Sequence, residues 1–327
     1  MLHPVRSTCL LLFLFLLTFL AASFSQTSIN DVHVAARGIE VASALPGARA
    51  VIHSRADLVL VPVTITDDFD RPVMGLDQDN FQLYEDKKPQ EIKHFSTEDT
   101  PVSIGLIVDM SGSMANKMER TREAIHEFCE ASNPQDEFFM ITFSDAPRVA
   151  TDFTSNSQQL EDDLLTSASK GRTALLDAIY MGLRKMKDAR YPRRALLILS
   201  DGGDNHSRYS ERDVRSSVKE ADVLLYAVGT YDQYVNTQEE LLGPELLRSI
   251  TEVTGGRAYT VTDVKVLPAV TKIIGEQLRH QYVLAYQPGS KPDKEKWYKI
   301  NVKLRLPKSL HALLHVTART GYYGHSE

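Results

Sequence analysis

The chain has no basic block. Its 327 residues carry 37 Lys and Arg against 43 Asp and Glu, a net charge of −6, and no Lys/Arg-rich run stands out. Nucleic acid is therefore not an expected partner, because phosphate binding calls for a concentrated positive patch. Cysteine is scarce: there are two, Cys9 and Cys129, and Cys9 lies in an N-terminal stretch expected to be removed. One remaining cysteine excludes an intramolecular disulfide, even in an oxidising compartment. Cys129 falls among the apolar positions of a helical pattern and reads as a buried, inert thiol. Beyond the first 25 residues no run is long and apolar enough to span a bilayer. Signatures of catalysis are missing as well. No G-x-S-x-G elbow surrounds Ser111 or Ser113. In "HEFCE", Glu130 stands where a zinc helix would need its second histidine, so His126 and Glu130 read as an exposed pair on one helix. There is no glycine-rich nucleotide loop either.

What is present begins at the N-terminus. Arg6 precedes the apolar run Leu10 to Leu20, which is followed by "AASFSQ". A positive start, an apolar centre and small residues at its end form a signal peptide, most simply cut after Ser25. The competing reading, a membrane anchor, needs a longer run. Cys9 lies inside the apolar run rather than just after it, against a lipoprotein cleavage site. Residues 1–25 are thus expected to be a signal peptide and residues 26–55 a linker. The mature protein is expected to be secreted or periplasmic, with no stable membrane anchor after cleavage.

With 43% apolar and 24% charged residues the remainder is ordinary globular sequence, long enough for about two domains. Residues 56–100 read as β-structure: "LVLVPVTIT" is rich in β-branched residues, "DDFDRPV" is turn chemistry, and "NFQLYED" alternates. The acids Asp67, Asp68, Asp70, Asp77 and Asp79 do not fit the spacing of an EF-hand loop. From residue 101 to 282 the pattern changes. The segments "SIGLIVD", "EFFMITF", "RALLILSD" and "ADVLLYAVG" are nearly continuous apolar runs, as expected for parallel strands buried on both faces. Helical patterns lie between them. Leu175, Leu176, Ile179, Leu183 and Met186 mark one helix face, and Ser210 with Asp213 marks a helix start. Alternating strands and helices imply an α/β fold with helices on both faces of a mostly parallel sheet. Residues 283–327 return to β, with clear alternation in "YKINVKLRL". The two β segments can be expected to pair, forming a β-sandwich-like region that holds the α/β unit as an insertion.

Three stretches of that unit carry oxygen-bearing side chains. Asp109, Ser111 and Ser113 follow the first strand, Thr173 opens a helix in "GRTALLD", and Asp201 ends the strand "LLILSD". In open α/β sheets ligands gather at the carboxyl ends of the strands. Two carboxylates and three hydroxyls suit a hard divalent cation and leave it underneutralised in its own shell, so that it attracts an outside carboxylate. Gly112, Gly202 and Gly203 suit tight backbone paths nearby. Residue by residue, plainer readings stand beside this one: Ser111, Ser113 and Thr173 as helix caps, and Asp201 with its glycines as a turn. Asp204 and Asn205 are candidates for supporting roles, and Asp177 reads as a surface or helix residue, with a supporting role as the lesser alternative.

Taken together, "DMSGS", "GRTALLDAI" and "LILSDGGDN" resemble the von Willebrand factor type A domain and its metal-ion-dependent adhesion site. The family's D-x-S-x-S maps onto Asp109, Ser111 and Ser113, its separate threonine onto Thr173 and its later aspartate onto Asp201. The resemblance implies a Rossmann-like, doubly wound domain that binds Mg²⁺, with Mn²⁺ and Ca²⁺ as the other candidates. It further implies that the serines and threonine ligate directly while the aspartates often act through water. A protein partner would complete the coordination with an Asp or Glu. The flanks, including "TARTGYYG", also resemble a bacterial family of secreted proteins related to type A domains. The expected function is divalent-metal-dependent protein binding, with residues 230–245 as a candidate specificity loop. The alternatives are a module in which the metal only stabilises the fold, and a metal-assisted hydrolase, for which no base is recognisable.

Overall fold

The structure is a computed structural model that describes residues 58–97, 99–166, 169–201, 203–231, 238–289, 292–293, 295–307 and 313–324. The expected signal peptide and linker, and Gly202, lie outside the described residues, as does the middle of the candidate specificity loop. In chain order the strands are β1 (Val59–Thr66), β2 (Phe81–Glu85), β3 (Lys88–Gln90), β4 (Ile92–Ser96), β5 (Ser103–Asp109), β6 (Glu137–Phe143), β7 (Pro147–Thr154), β8 (Arg194–Ser200), β9 (Leu224–Thr230), β10 (Ala258–Val261), β11 (Tyr282–Tyr286), β12 (Trp297–Leu304), β13 (His315–Ala318) and β14 (Gly321–Tyr323). The helices are α1 (Met118–Ala131), α2 (Ser157–Leu165), α3 (Leu175–Lys185), α4 (Glu211–Glu220), α5 (Gln238–Thr251) and α6 (Leu267–Arg279).

The central sheet has the order β10-β9-β8-β5-β6-β7. Its pairings are parallel except for β6 with β7, which is antiparallel. Strand β5 shows why its sequence is apolar throughout. Ile104, Leu106 and Val108 point to one face, where they meet Ile125 and Phe128 of α1 and Ile274 and Leu278 of α6. Ile107 points to the other, into a core shared with α3 (Ile179, Leu183), α4 (Val214, Val218) and α5 (Leu247, Ile250). A strand covered on both sides cannot alternate apolar with polar residues. Strands β7 and β10, both at sheet edges, are not among the sequence-legible runs; β7 is mostly exposed or half-buried and lacks the continuous apolar signature.

The two β segments at the chain ends pair, which no local signal in the sequence had decided. They form two four-stranded sheets, β13-β1-β11-β4 and β14-β12-β2-β3, each mixing strands from both ends. Along β12, Tyr298, Ile300, Val302 and Leu304 are buried while Lys299, Asn301 and Lys303 are exposed. The inward set joins Val61, Val63, Ile65, Phe81, Leu83, Tyr282, Leu284 and Tyr286 in one core between the sheets. Chain continuity makes the α/β unit an insertion between β4 and β11.

Arg193 ties the two crossings together at the amino edge of the central sheet. Its guanidinium donates to Thr100 O on the way in (2.5 Å) and to Leu278 O (2.6 Å) and Gln281 Oε1 (3.0 Å) on the way out.

Candidate metal centre

The carboxyl ends of β5 and β8 are adjacent, because the two strands pair in parallel with Val108 opposite Leu199. Asp109 thus ends beside Ser200, whose hydroxyl donates to Asp109 Oδ2 at 2.5 Å. Asp109 Oδ1 accepts the backbone N–H of Ser111 at 2.8 Å, an Asx-type turn that folds the chain back over the strand end. This turn brings Ser111 Oγ within 3.1 Å of Ser113 Oγ. Asp109, Ser111, Thr173 and Asp201 are buried, while Ser113 is exposed at the rim.

The three stretches are bonded to one another. Lys170 N–H donates to Met110 O (2.9 Å) and Gly112 N–H to Gly171 O (3.2 Å), joining the loop before Thr173 to the loop after Asp109. Asn205 Oδ1 accepts Thr173 N–H at 3.0 Å, and Asn205 N–H donates back to Thr173 O at 3.0 Å. Asp204 Oδ1 accepts the N–H of Leu176 (3.3 Å) and the hydroxyl of Ser207 (2.6 Å). Asp204 and Asn205 therefore anchor the loop after β8 to the start of α3. Gly171 is required here: its φ is +92°, and a Cβ would lie 2.6 Å from Asp145 Oδ2.

The hydroxyls are not spent as helix caps. The residue preceding α1 is Lys117, which makes no side-chain cap, and Ser111 does not cap the short 3-10 turn that it precedes. The residue preceding α3 is Ala174, again without a side-chain cap. The capping readings of Ser111, Ser113 and Thr173 therefore fall away, whereas Ser210 does form the expected capping box with Asp213.

Two further expectations need correcting. Asp177 is not a surface residue: it is buried, Oδ1 accepts the N–H groups of Arg208 (2.9 Å) and Tyr209 (3.1 Å), and its own N–H donates to Ser207 Oγ. It pins the loop that follows Asp201. His126 does not pair with Glu130: its Nδ1 lies 3.0 Å from Glu161 Oε1 of α2. Cys129 is half-buried rather than buried, and the burial of its thiol pushes its pKa up to about 12.

Electrostatically the edge is under tension. Burial and the neighbouring Asp201 carboxylate push the pKa of Asp109 up to about 6, against the pull of hydrogen bonds from Ser200 and Ser111. Burial and Asp201 also push the Tyr231 phenol up, and its hydroxyl is buried without a hydrogen-bond partner. The Lys117 ammonium reaches the same place: it donates to Thr230 O at 3.1 Å and lies 3.8 Å from Asp201 Oδ2. Two buried carboxylates, neutral hydroxyls beside them and an unsatisfied phenol form a donor set that fits a hard divalent cation. Among the described residues no group of three or more His, Cys, Asp or Glu is arranged to hold a metal. Any cation at this edge would rely on hydroxyl oxygens.

Residues 104–203 match the family model of the von Willebrand factor type A domain. The chain carries a von Willebrand factor type A domain. The match covers the stretch from β5 to the end of β8, including all five site positions. The curated relatives are distant. Inter-alpha-trypsin inhibitor heavy chain H4 of Homo sapiens is 24% identical over 134 residues, which is 37% of this chain and 14% of that protein. An uncharacterized protein of Borreliella burgdorferi is 22% identical over 185 residues, 49% of this chain and 54% of that protein. The chain thus spans about half or less of the curated relatives it matches. Among solved structures, a von Willebrand factor type A protein from Catenulispora acidiphila aligns over 81% of this chain and 71% of its own, with 11% identity and a TM-score of 0.48.

Sequence reasoning missed Ser200, Lys117 and Tyr231 at this type A edge. Only Lys117 carried a local signal, as a cation at the start of a helix, where the helix dipole disfavours positive charge.

Proposed function

We propose that the protein is an exported module whose type A domain binds a divalent cation, Mg²⁺ first among Mg²⁺, Mn²⁺ and Ca²⁺, and through it a protein partner. In this reading Ser111, Ser113 and Thr173 present hydroxyl oxygens to the cation. Asp109 and Asp201 supply charge, Asp109 being oriented by Ser200 and the Ser111 amide. A bound cation supplies an electrophilic position that an Asp or Glu of the partner fills. The single observation that carries the reading is the hydrogen-bonded joining of three distant stretches at one sheet edge, with their hydroxyls left out of helix capping. Export rests on the N-terminal pattern of Arg6, the apolar run and the small residues before Gln26. No helix among the described residues is long and apolar enough to cross a membrane.

The test compares wild type with Asp109→Ala. Calorimetric titration with Mg²⁺ and Mn²⁺ is expected to show uptake by wild type and none by the variant, with both proteins folded by circular dichroism. A pull-down from an envelope fraction is expected to recover a partner with wild type only, and to lose it in EDTA. Absence of cation uptake by folded wild type would overturn the proposal. Uptake and a raised melting temperature without any cation-dependent partner would favour a purely stabilising metal.

A further inference from the structure

Lys117 occupies a place where its charge is disfavoured twice. Its side chain is 7% exposed, and an isolated buried ammonium is costly. It also precedes the first turn of α1, the positive end of the helix dipole. Its compensation comes from the site itself. The ammonium donates to Thr230 O, at the carboxyl end of β9, and faces Asp201 Oδ2 at 3.8 Å. The 3.8 Å separation exceeds that of a hydrogen-bonded ion pair, so the charge neutralises Asp201 without closing over it. The backbone fixes the arrangement: Lys117 N–H donates to Met114 O (2.9 Å), and Thr121 returns both its N–H (2.9 Å) and its hydroxyl (3.1 Å) to Lys117 O.

Set apart from the Asp177–Arg208 and Asp145–Arg172 ion pairs and from the half-buried Asp204 in the loop beyond, the buried charges at the candidate ligands themselves are two carboxylates, Asp109 and Asp201, and one ammonium. Without a divalent cation their sum is −1; with one it is +1. A pair of carboxylates without Lys117 would reach only neutrality when loaded. We infer that Lys117 is a built-in counter-ion of the proposed cation site, holding Asp201 in place when no cation is bound, lowering the site's affinity for a divalent cation, and leaving the loaded site positive toward an acidic partner. The inference rests on the cation-binding reading above. Lys117 is a positioning residue in it, acting on the cation through Asp201 and through the field it adds.

The experiment uses the full mature chain and the metal alone. Mg²⁺ and Mn²⁺ are titrated calorimetrically into wild type, Lys117→Met, Lys117→Gln and Lys117→Arg. Melting temperatures are measured in EDTA and in saturating Mg²⁺. Removal of the positive charge in Lys117→Met and Lys117→Gln is expected to tighten cation binding about tenfold, as loss of a nearby like charge in a partly shielded site does. It should also lower the melting temperature in EDTA and enlarge the increase that Mg²⁺ produces. Lys117→Arg, which keeps the charge, should stay near wild type in affinity. Should Lys117→Met not fold, Lys117→Gln and Lys117→Arg carry the comparison. Wild type that takes up the cation with neutral variants of equal or weaker affinity overturns the role of Lys117 and leaves the cation site standing. Uptake by the neutral variants alone supports that role and overturns cation binding by the native site. No uptake by any of them overturns both.

Discussion

The two edges of the central sheet hold similar buried ingredients arranged to different ends. At the amino edge, Asp136 accepts the N–H groups of Val102 (2.7 Å) and Asn133 (3.0 Å), and Arg193 donates to Thr100, Leu278 and Gln281. Asp136 and Arg193 are thus each held by direct hydrogen bonds to backbone or side chain, although burial pushes the Asp136 carboxyl up to about 6 and the neighbouring Arg194 Nε is buried without a partner. At the carboxyl edge, Asp109 and Asp201 repel each other, Lys117 stands 3.8 Å from its acid, and the Tyr231 hydroxyl has no partner. A satisfied buried network specifies structure, whereas an incompletely satisfied one retains free energy that a ligand can release. The amino edge joins the sandwich crossings through Arg193, and the carboxyl edge is the one we propose takes a cation.

The sharpest way to break this contrast is Arg193→Met. Removing a buried cation that joins both crossings should cost about 3–5 kcal/mol, measured by urea unfolding, while leaving the folded protein's Mg²⁺ affinity unchanged. A large loss of cation affinity would mean that the two edges are not independent.

Next in size is the pH dependence of Asp109. In the cation-free protein burial and Asp201 push its pKa up to about 6, above the ordinary carboxylate value of 3.8. The folded state therefore holds this proton more tightly than the unfolded chain. The resulting stability is fully present below about pH 4 and is lost as pH rises through about 6, amounting to roughly 3 kcal/mol. Unfolding in EDTA at pH 4 and pH 7 should show this component in wild type and not in Asp109→Asn, and the variant should be the more stable at pH 7. An identical pH profile for the two proteins would mean that burial and Asp201 do not destabilise the Asp109 carboxylate.

The smallest effect lies in the sandwich. Tyr286 and Tyr322 both donate to Glu85 Oε2, at 2.5 and 2.8 Å. Tyr322→Phe should cost about 1 kcal/mol and leave cation binding untouched, since the Tyr286 bond remains.

Much of this molecule was legible one segment at a time. Continuous apolar runs announced β5, β6, β8 and β9 because both faces of those strands are covered, and "YKINVKLRL" announced β12 because one face is not. The five candidate ligands stood out as short oxygen side chains at strand and helix ends. Edge strand β7 was not legible, since only part of it is buried. Asp177 is the helix residue that one reading made it, but its burial was not legible, because its helix position says nothing of the loop, some 31 residues later, whose amides it accepts.

The amino-acid sequence by itself determined the alternation of strand and helix, the β character of the two chain ends and the oxygen chemistry of the candidate site, because each is written in spacings within one element. Only the tertiary structure decided that Ser200 meets Asp109 from 91 positions away, that Lys117 reaches Thr230 across 113, and that Arg193 closes the crossings. Such contacts follow from which strands become neighbours, and sheet order is settled by packing of the whole core rather than by any local run of residues.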